Sequence, residues 1–462
     1  VPEGSVVTSL SLWINGKEEK GYLTTQTKAD SAYKTIVGVE RRDPSVVHWQ
    51  EGNTVRVRVF PCTSNENRRF KIGITSPLRL ERNQLVYENI YFKGPDNTQT
   101  SETVKIELTE KVNGLNSPWD TDGEKLITHQ GKYTPDWSVR FAAKPLSTEK
   151  FVFQGKGYQA DSYQSAYEAF SPTAVYLDVN EVWRWPEFEA ICSQLKYRNM
   201  WVYDDQLINI TPQNAGEMFK KLAQNRFSLF PVYRISNPDK ALLITKGVSE
   251  TPSLKEIKES IFAENLNQTA AKLPSIRTFC LNIALSPYLK TLQELRLLTV
   301  IHGSMDELQT LLQKRQFKPV LENKNRPVAF IEAAQMSIRE LESSVMNTKF
   351  NAIKAPDHLL RLYAYNHILQ QIGGHYFQKD YLADSLVKEA ARANVVTPIS
   401  SLVVLETQAD YQRFDIKKSI NSLENAALKK SGAVPEPHEW ALAFLLIGLI
   451  IYAWLRPNGN LF

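Results

Sequence analysis

Alternation of apolar and polar positions is the first pattern along this chain. Thr54-Val55-Arg56-Val57-Arg58-Val59-Phe60 sets valine on one side and arginine on the other, and Arg69 to Ile74 repeats the rhythm. A period of two predicts half-buried strands. Further strands are predicted at Val104 to Leu108, Trp137 to Phe141 and Phe151 to Gln154, separated by Asn, Gly, Pro and Asp clusters. Many short strands with turn signals between them predict a β-sandwich over residues 1–155.

From residue 171 the rhythm changes. Short apolar runs (174–177, 199–203, 241–245, 276–283) alternate with helix-like stretches at 186–196, 215–225, 254–262, 289–297 and 306–313. That alternation predicts a doubly wound α/β domain over 171–318, in which ligands bind at the carboxyl ends of strands. A third region, 319–422, is read as helical. Ile331, Ala334, Ile338 and Leu341 mark one stripe of a helix at 330–346. Helices at 356–371 and 381–393 follow, and a strand at 395–406 comes after a Pro break. Residues 423–434 form a charged linker.

The pattern ends in a run with no polar face. Pro435-Glu436-Pro437 leads into an apolar stretch from Trp440 to Leu455, followed at once by Arg456. Proline presets a helix start. Roughly 16 residues at about 1.5 Å each span roughly 24 Å, a little short of a hydrocarbon core of about 30 Å. Trp440, Tyr452 and Trp454 sit near its ends, where amphipathic rings favour a membrane interface. The reading is a single transmembrane helix within 435–462.

Composition narrows the function classes. Of 462 residues, 42% are hydrophobic and 23% charged, enough for proper cores. The net charge of +5 comes without a dense Lys/Arg run carrying interleaved aromatics, so nucleic acid is not expected as a partner. Cys62, Cys192 and Cys280 are far apart and form no CxxC pair. Cys192 on a helix and Cys280 in an apolar strand read as inert core thiols. No HExxH, Walker loop, GxSxG or GxGxxG occurs. His358 and His367, nine apart, fall about 180° apart on a helix and share no ligand. No catalytic residue, metal ion or cofactor is therefore expected. The sequence starts at Val1 without Met and without a secretory n-region and h-region, and an exported protein needs a signal, so upstream residues are expected.

Three resemblances complete the reading. Ser9 to Gly16, Ala32-Tyr33, Arg41-Arg42-Asp43-Pro44 and Val57 to Pro61 resemble the VIT domain, the vault and inter-alpha-trypsin inhibitor module. That implies a β-sandwich without catalysis, packed on a following von Willebrand A domain. The order and spacing of 171–318 resemble such a domain, and Val396-Thr397-Pro398-Ile399-Ser400-Ser401 resembles the segment that follows it in VIT proteins. This last likeness implies that the chain returns to pack on the earlier domains. Arg41, Arg42 and Asp43 themselves read as a surface ion-pair turn. The Val434 to Pro437 motif, apolar helix and basic end resemble the PEP-CTERM sorting signal of bacteria, with only Arg456 as the basic end. That likeness implies processing by an exosortase, a membrane-embedded cysteine transpeptidase, and places the bulk of the chain outside the cytoplasm in the bacterial envelope.

In von Willebrand A domains an Asp-x-Ser-x-Ser motif after the first strand and a Thr-Asp-Gly after the fourth hold a divalent cation. Here the first reads Asp178-Val179-Asn180-Glu181-Val182 and the second Thr245-Lys246-Gly247. Hard cations want oxygen ligands. An ammonium about 4 Å from another positive unit charge is repelled by about 4 kcal/mol at an effective dielectric of about 20. The metal site is therefore read as degenerate, with Lys246 filling the vacancy and pairing with Asp178. The expected function is a non-catalytic envelope protein that binds a protein or surface-matrix partner through Asp178, Asn180, Tyr203, Asp204 and Lys246. A metal-dependent adhesin, or an accessory of the exosortase system retained in the membrane, are the alternatives.

Overall fold

The computed structural model describes residues 1–416 apart from short stretches, the longest at 93–99, 321–327 and 342–356. The linker, the Pro435-Glu436-Pro437 motif and the apolar run after it lie outside the described residues, as do Arg41 and Asp43. Among the described residues, no helix is long and apolar enough to cross a membrane.

The architecture is mixed α/β, built on several sheets, the largest of six strands. These are β1 (Ala174–Asp178), β2 (Met200–Asp204), β3 (Gln206–Asn209), β4 (Ala241–Thr245), β5 (Ile276–Leu281) and β6 (Leu298–Gly303). Their order is β3-β2-β1-β4-β5-β6, parallel throughout except for β3. Five helices are interleaved: α1 (Trp185–Gln194), α2 (Ala215–Leu222), α3 (Ile261–Thr269), α4 (Pro287–Glu294) and α5 (Met305–Lys314). Successive strand residues serve opposite faces. Val175, Leu177, Leu242 and Ile244 pack with α1, α2 and α5 through Phe188, Ile191, Leu222 and Leu308. Tyr176, Leu243 and Cys280 pack with α3 and α4 through Leu266, Leu289 and Leu292. Both faces are covered, which is why these strands read as unbroken apolar runs.

The element bounds depart furthest from expectation in three places, and the strand expected at 395–406 shortens to Ser400–Val404. The helix expected at 254–262 begins instead at Ile261, because the Ser260 hydroxyl caps it by accepting from the Ala263 N–H at 3.2 Å. The helix expected at 289–297 stops at Glu294, Arg296 turns the chain with φ +61°, and β6 follows directly. The stripe at 330–346 is not a helix in its described part. Val328–Ile331 and Met336–Glu340 form an antiparallel hairpin, turned where Gln335 takes φ +47°. Its second strand pairs with Lys156–Ser162, so the segments before and after the large sheet meet in one four-stranded sheet.

At the N-terminal end, two sheets share a core. One holds Val6–Ile14, Lys17–Lys20 and Phe70–Thr75; the other holds Tyr22–Thr25, Ser45–Gln50 and Thr54–Val59. The chain returns from far away: Ser400–Val404 lies between Tyr22–Thr25 and Ser45–Gln50, hydrogen-bonded to both. Leu402 and Val404 face the core shared with Leu10, Leu12 and Val47. Val403 faces the other way, onto Ala29, Ala32 and Tyr411. Two helices, α6 (Asp357–Ile372) and α7 (Asp384–Ala393), pack into the same main core. Arg42 does form ion pairs, with Glu40 and with the nearly buried Asp410, so it ties the start of the chain to a helix at Gln408–Arg413. Strands between 79 and 142 do not extend this pair of sheets. They form two small sheets of their own.

Candidate functional site at the strand ends

The carboxyl ends of β1 and β4 sit side by side, with Asp178 paired in register to Thr245. Asp178 is buried, and its carboxylate accepts from two hydroxyls, Ser228 Oγ at 2.5 Å and Thr245 Oγ1 at 2.7 Å. Burial pushes its pKa up and the two hydroxyl bonds pull it down, with burial prevailing. Its backbone carbonyl accepts from the Trp183 indole N–H at 2.8 Å, pinning the loop that carries Asn180. The Asn180 amide donates to the Lys246 carbonyl at 2.7 Å, and its oxygen accepts from the Val182 N–H at 3.2 Å. Asn180 is therefore spent on holding two loops together and turns no free oxygen outward.

Lys246 does not pair with Asp178. Its ammonium donates to both oxygens of Glu187, at 3.0 and 2.9 Å, and its side chain is only 6% exposed. Glu187 lies in the first turn of α1, where its carboxylate also accepts from the Arg184 N–H at 3.0 Å. A carboxylate at a helix N-terminus is favoured by the helix dipole. Burial pushes the Glu187 carboxyl up, but Lys246 and the Arg184 N–H together hold it below its ordinary value. The contrast is local: Asp178 accepts from two hydroxyls, whereas both Glu187 oxygens face Lys246, with the exposed Arg184 guanidinium a more distant second cation at 3.7 Å.

The next residue explains why this loop is tight. A Cβ on Gly247 would stand 1.8 Å from the Ala284 carbonyl oxygen and 2.7 Å from the Ser286 nitrogen. Only glycine lets the chain after β4 pass so close to the chain after β5.

Of the five residues singled out from sequence, the structure brings Asp178, Asn180 and Lys246 together. Tyr203 and Asp204 make no hydrogen bond to them. Tyr203 packs its ring against Phe230, with centroids 6.3 Å apart. Asp204 forms an ion pair with Lys221 of α2, and Asp205 turns the chain into β3 with φ +58°. Three contributors were not picked out from sequence. Glu187 carried a signal, an acid just after Pro186 at a helix start. Thr245 lies inside the fourth-strand motif. Ser228 lies in a loop with no pattern to reveal it. Among the described residues, no three His, Cys, Asp or Glu side chains gather as they would around a metal ion. Cys192 is buried and its thiol is pushed up to about 12 by burial, which suits packing rather than nucleophilic attack.

Compared with known proteins, the chain matches no family model, and no curated protein matches it.

Proposed function

We propose that the protein is a non-catalytic component of a bacterial cell envelope, a VIT and von Willebrand A-like protein with a degenerate metal site. In this reading the strand-end face around Asp178, Asn180 and Lys246 binds a protein or surface-matrix partner without a cation. The Pro435-Glu436-Pro437 motif is its exosortase sorting signal.

One observation carries the metal-free part. At the position where a ligand carboxylate would stand after β4, the chain places an ammonium locked onto Glu187, while Asp178 is turned onto two hydroxyls. A divalent cation there would have to displace Lys246 and strip Asp178 of both donors. Isothermal calorimetry with Mg²⁺ and with Mn²⁺ tests this. Heats no greater than dilution are expected. A saturable one-to-one isotherm would favour a metal-dependent adhesin instead. The sorting part is tested by the intact mass of the protein from its native envelope: a new C-terminus near Pro437 is expected, and a chain still ending at Phe462 would count against processing.

A further inference from the structure

The two small sheets between residues 79 and 142 frame a groove remote in sequence from the strand-end face. Among the described residues, strand Ser101–Glu107 forms one edge, paired on one side with Leu126–Lys132. Glu102, Val104 and Ile106 turn to its less exposed face, while Ser101, Thr103, Lys105 and Glu107 are exposed. His129, opposite Val104 in the register, lies flat against Trp119 at 4.5 Å with ring planes 8° apart. Trp119 meets the edge of Trp137 at 4.7 Å, and Trp137 tilts toward Tyr87 at 5.8 Å. The result is a run of aromatic rings beside an open cavity of about 660 Å³, lined among others by Tyr87, Asn89, Glu102, Thr103, Tyr133 and Trp137.

Among the described residues, two donors on this lining are buried without a partner: Trp137 Nε1 and Asn89 Nδ2. Buried donors without acceptors are costly and uncommon. An oxygen brought in by a ligand, with a small side-chain shift, would satisfy them. The charged side chains of the lining are engaged: the cation is paired, and the Glu102 carboxylate is held by neutral donors. Glu102 accepts from the Thr134 N–H and hydroxyl at 3.0 and 3.1 Å, and Lys105 pairs with Glu107 at 2.5 Å.

These features select among occupants. Nucleic acid needs cations for its phosphates, and among the described residues the lining cation, Lys105, is paired. Addition of a peptide strand along 101–107 is opposed by Lys105 and Glu107, since charged side chains on an edge blunt strand pairing. What remains suits a neutral sugar chain. The C–H faces of pyranose rings pack on aromatic faces, and their hydroxyl oxygens accept from indole and amide N–H groups. We propose that this groove binds a neutral polysaccharide, at a site separate from the strand-end face and independent of whether that face binds anything.

The test is calorimetry on the full chain with laminarihexaose, cellohexaose and chitohexaose. Saturable binding of at least one is expected. Tyr87→Ala should weaken it about tenfold, the loss typical of truncating an aromatic contact. Trp137→Phe keeps a ring but removes the N–H, and should weaken binding about fivefold, the worth of one hydrogen bond. Thermal melting within the parent's range shows that the Trp137→Phe variant is folded. No binding to any of the three sugars would overturn the proposal, as would equal affinity in the parent and both variants. Binding of a Thr-Val repeat peptide with no response to the sugars would overturn it in favour of strand addition.

Discussion

Asp178 and Glu187 sit in one loop cluster but respond to pH with opposite signs. Glu187 has a folded pKa below its unfolded one, so its contribution is present above about 4.5 and is lost as pH falls through the folded value. Asp178 has a raised folded pKa, so its contribution is present below about 3.8 and is lost as pH rises through the folded value. Two variants separate them. Glu187→Gln should be destabilised relative to the parent at neutral pH, with the difference shrinking as pH drops below about 4.5. Asp178→Asn should close the gap to the parent as pH rises. Urea denaturation across pH 3 to 8 reads both, and parallel curves for parent and variants would count against the assigned partners. Lys246→Met removes the buried cation of Glu187 and leaves only the exposed Arg184 guanidinium at 3.7 Å. Removing one member of a buried pair costs about 3–5 kcal/mol, and Glu187 keeps the Arg184 N–H and some solvent, so a loss of about 2 kcal/mol is expected. Lys246→Met combined with Glu187→Leu should recover much of it, because an apolar pair needs no compensation.

At the scale of elements, glycine at the end of β4 fixes how the strand-end loops pack. Gly247→Ala forces a methyl onto the Ala284 carbonyl, with backbone rather than a flexible side chain in the way. Overpacking of this kind costs about 1–3 kcal/mol, and chemical denaturation should show a loss at the upper end of that range. Elements of this sheet were legible where both faces are covered: Ala174–Asp178 and Ala241–Thr245 read as apolar runs because they are buried on two sides. Leu298–Gly303 was missed for the same reason that makes it a good strand. Its apolar residues continue those of α4 without a Gly or Pro, and the turn between them falls on Arg296. The 330–346 stripe misled because Ile331 and Ile338 stand seven apart, a helical spacing, while each also lies two residues from another buried residue, Ala329 and Met336. Pairing with Lys156–Ser162, more than 170 residues earlier, settles the choice, and no local window contains that partner. At the site Asp178 and Lys246 were legible by their positions at the ends of strands. Their pairing was not, since Ser228 and Glu187 reach Asp178 and Lys246 only through the folded arrangement of loop and helix.

Across the whole molecule, one carboxyl gathers the N-terminal sheets, the α/β sheet and the helical region. Glu294 closes α4, where its oxygens accept from the Asn53 N–H at 3.1 Å and from the Tyr365 hydroxyl of α6 at 3.3 Å. Tyr365 in turn accepts from the Trp49 indole at 3.1 Å, and the Gly52 N–H donates to Thr291 at 2.8 Å. Burial drives the Glu294 carboxyl up to about 8 against the pull of its two donors, with Glu3 nearby adding to the rise. The folded state therefore binds this proton more tightly than the unfolded chain. Its contribution is fully present below about 4.5 and is lost as pH rises through about 8. The neutral Glu294→Gln variant keeps an acceptor for the Asn53 N–H, turns an amide donor toward the Tyr365 hydroxyl, and cannot ionise. Stability of the parent should thus fall relative to Glu294→Gln as pH climbs from 5 to 9, with the variant the more stable of the two above about 8. Urea midpoints at each pH read this directly. A constant difference across the range would mean that Glu294 is ionised without penalty and that its proton does not couple the meeting of the three parts to pH.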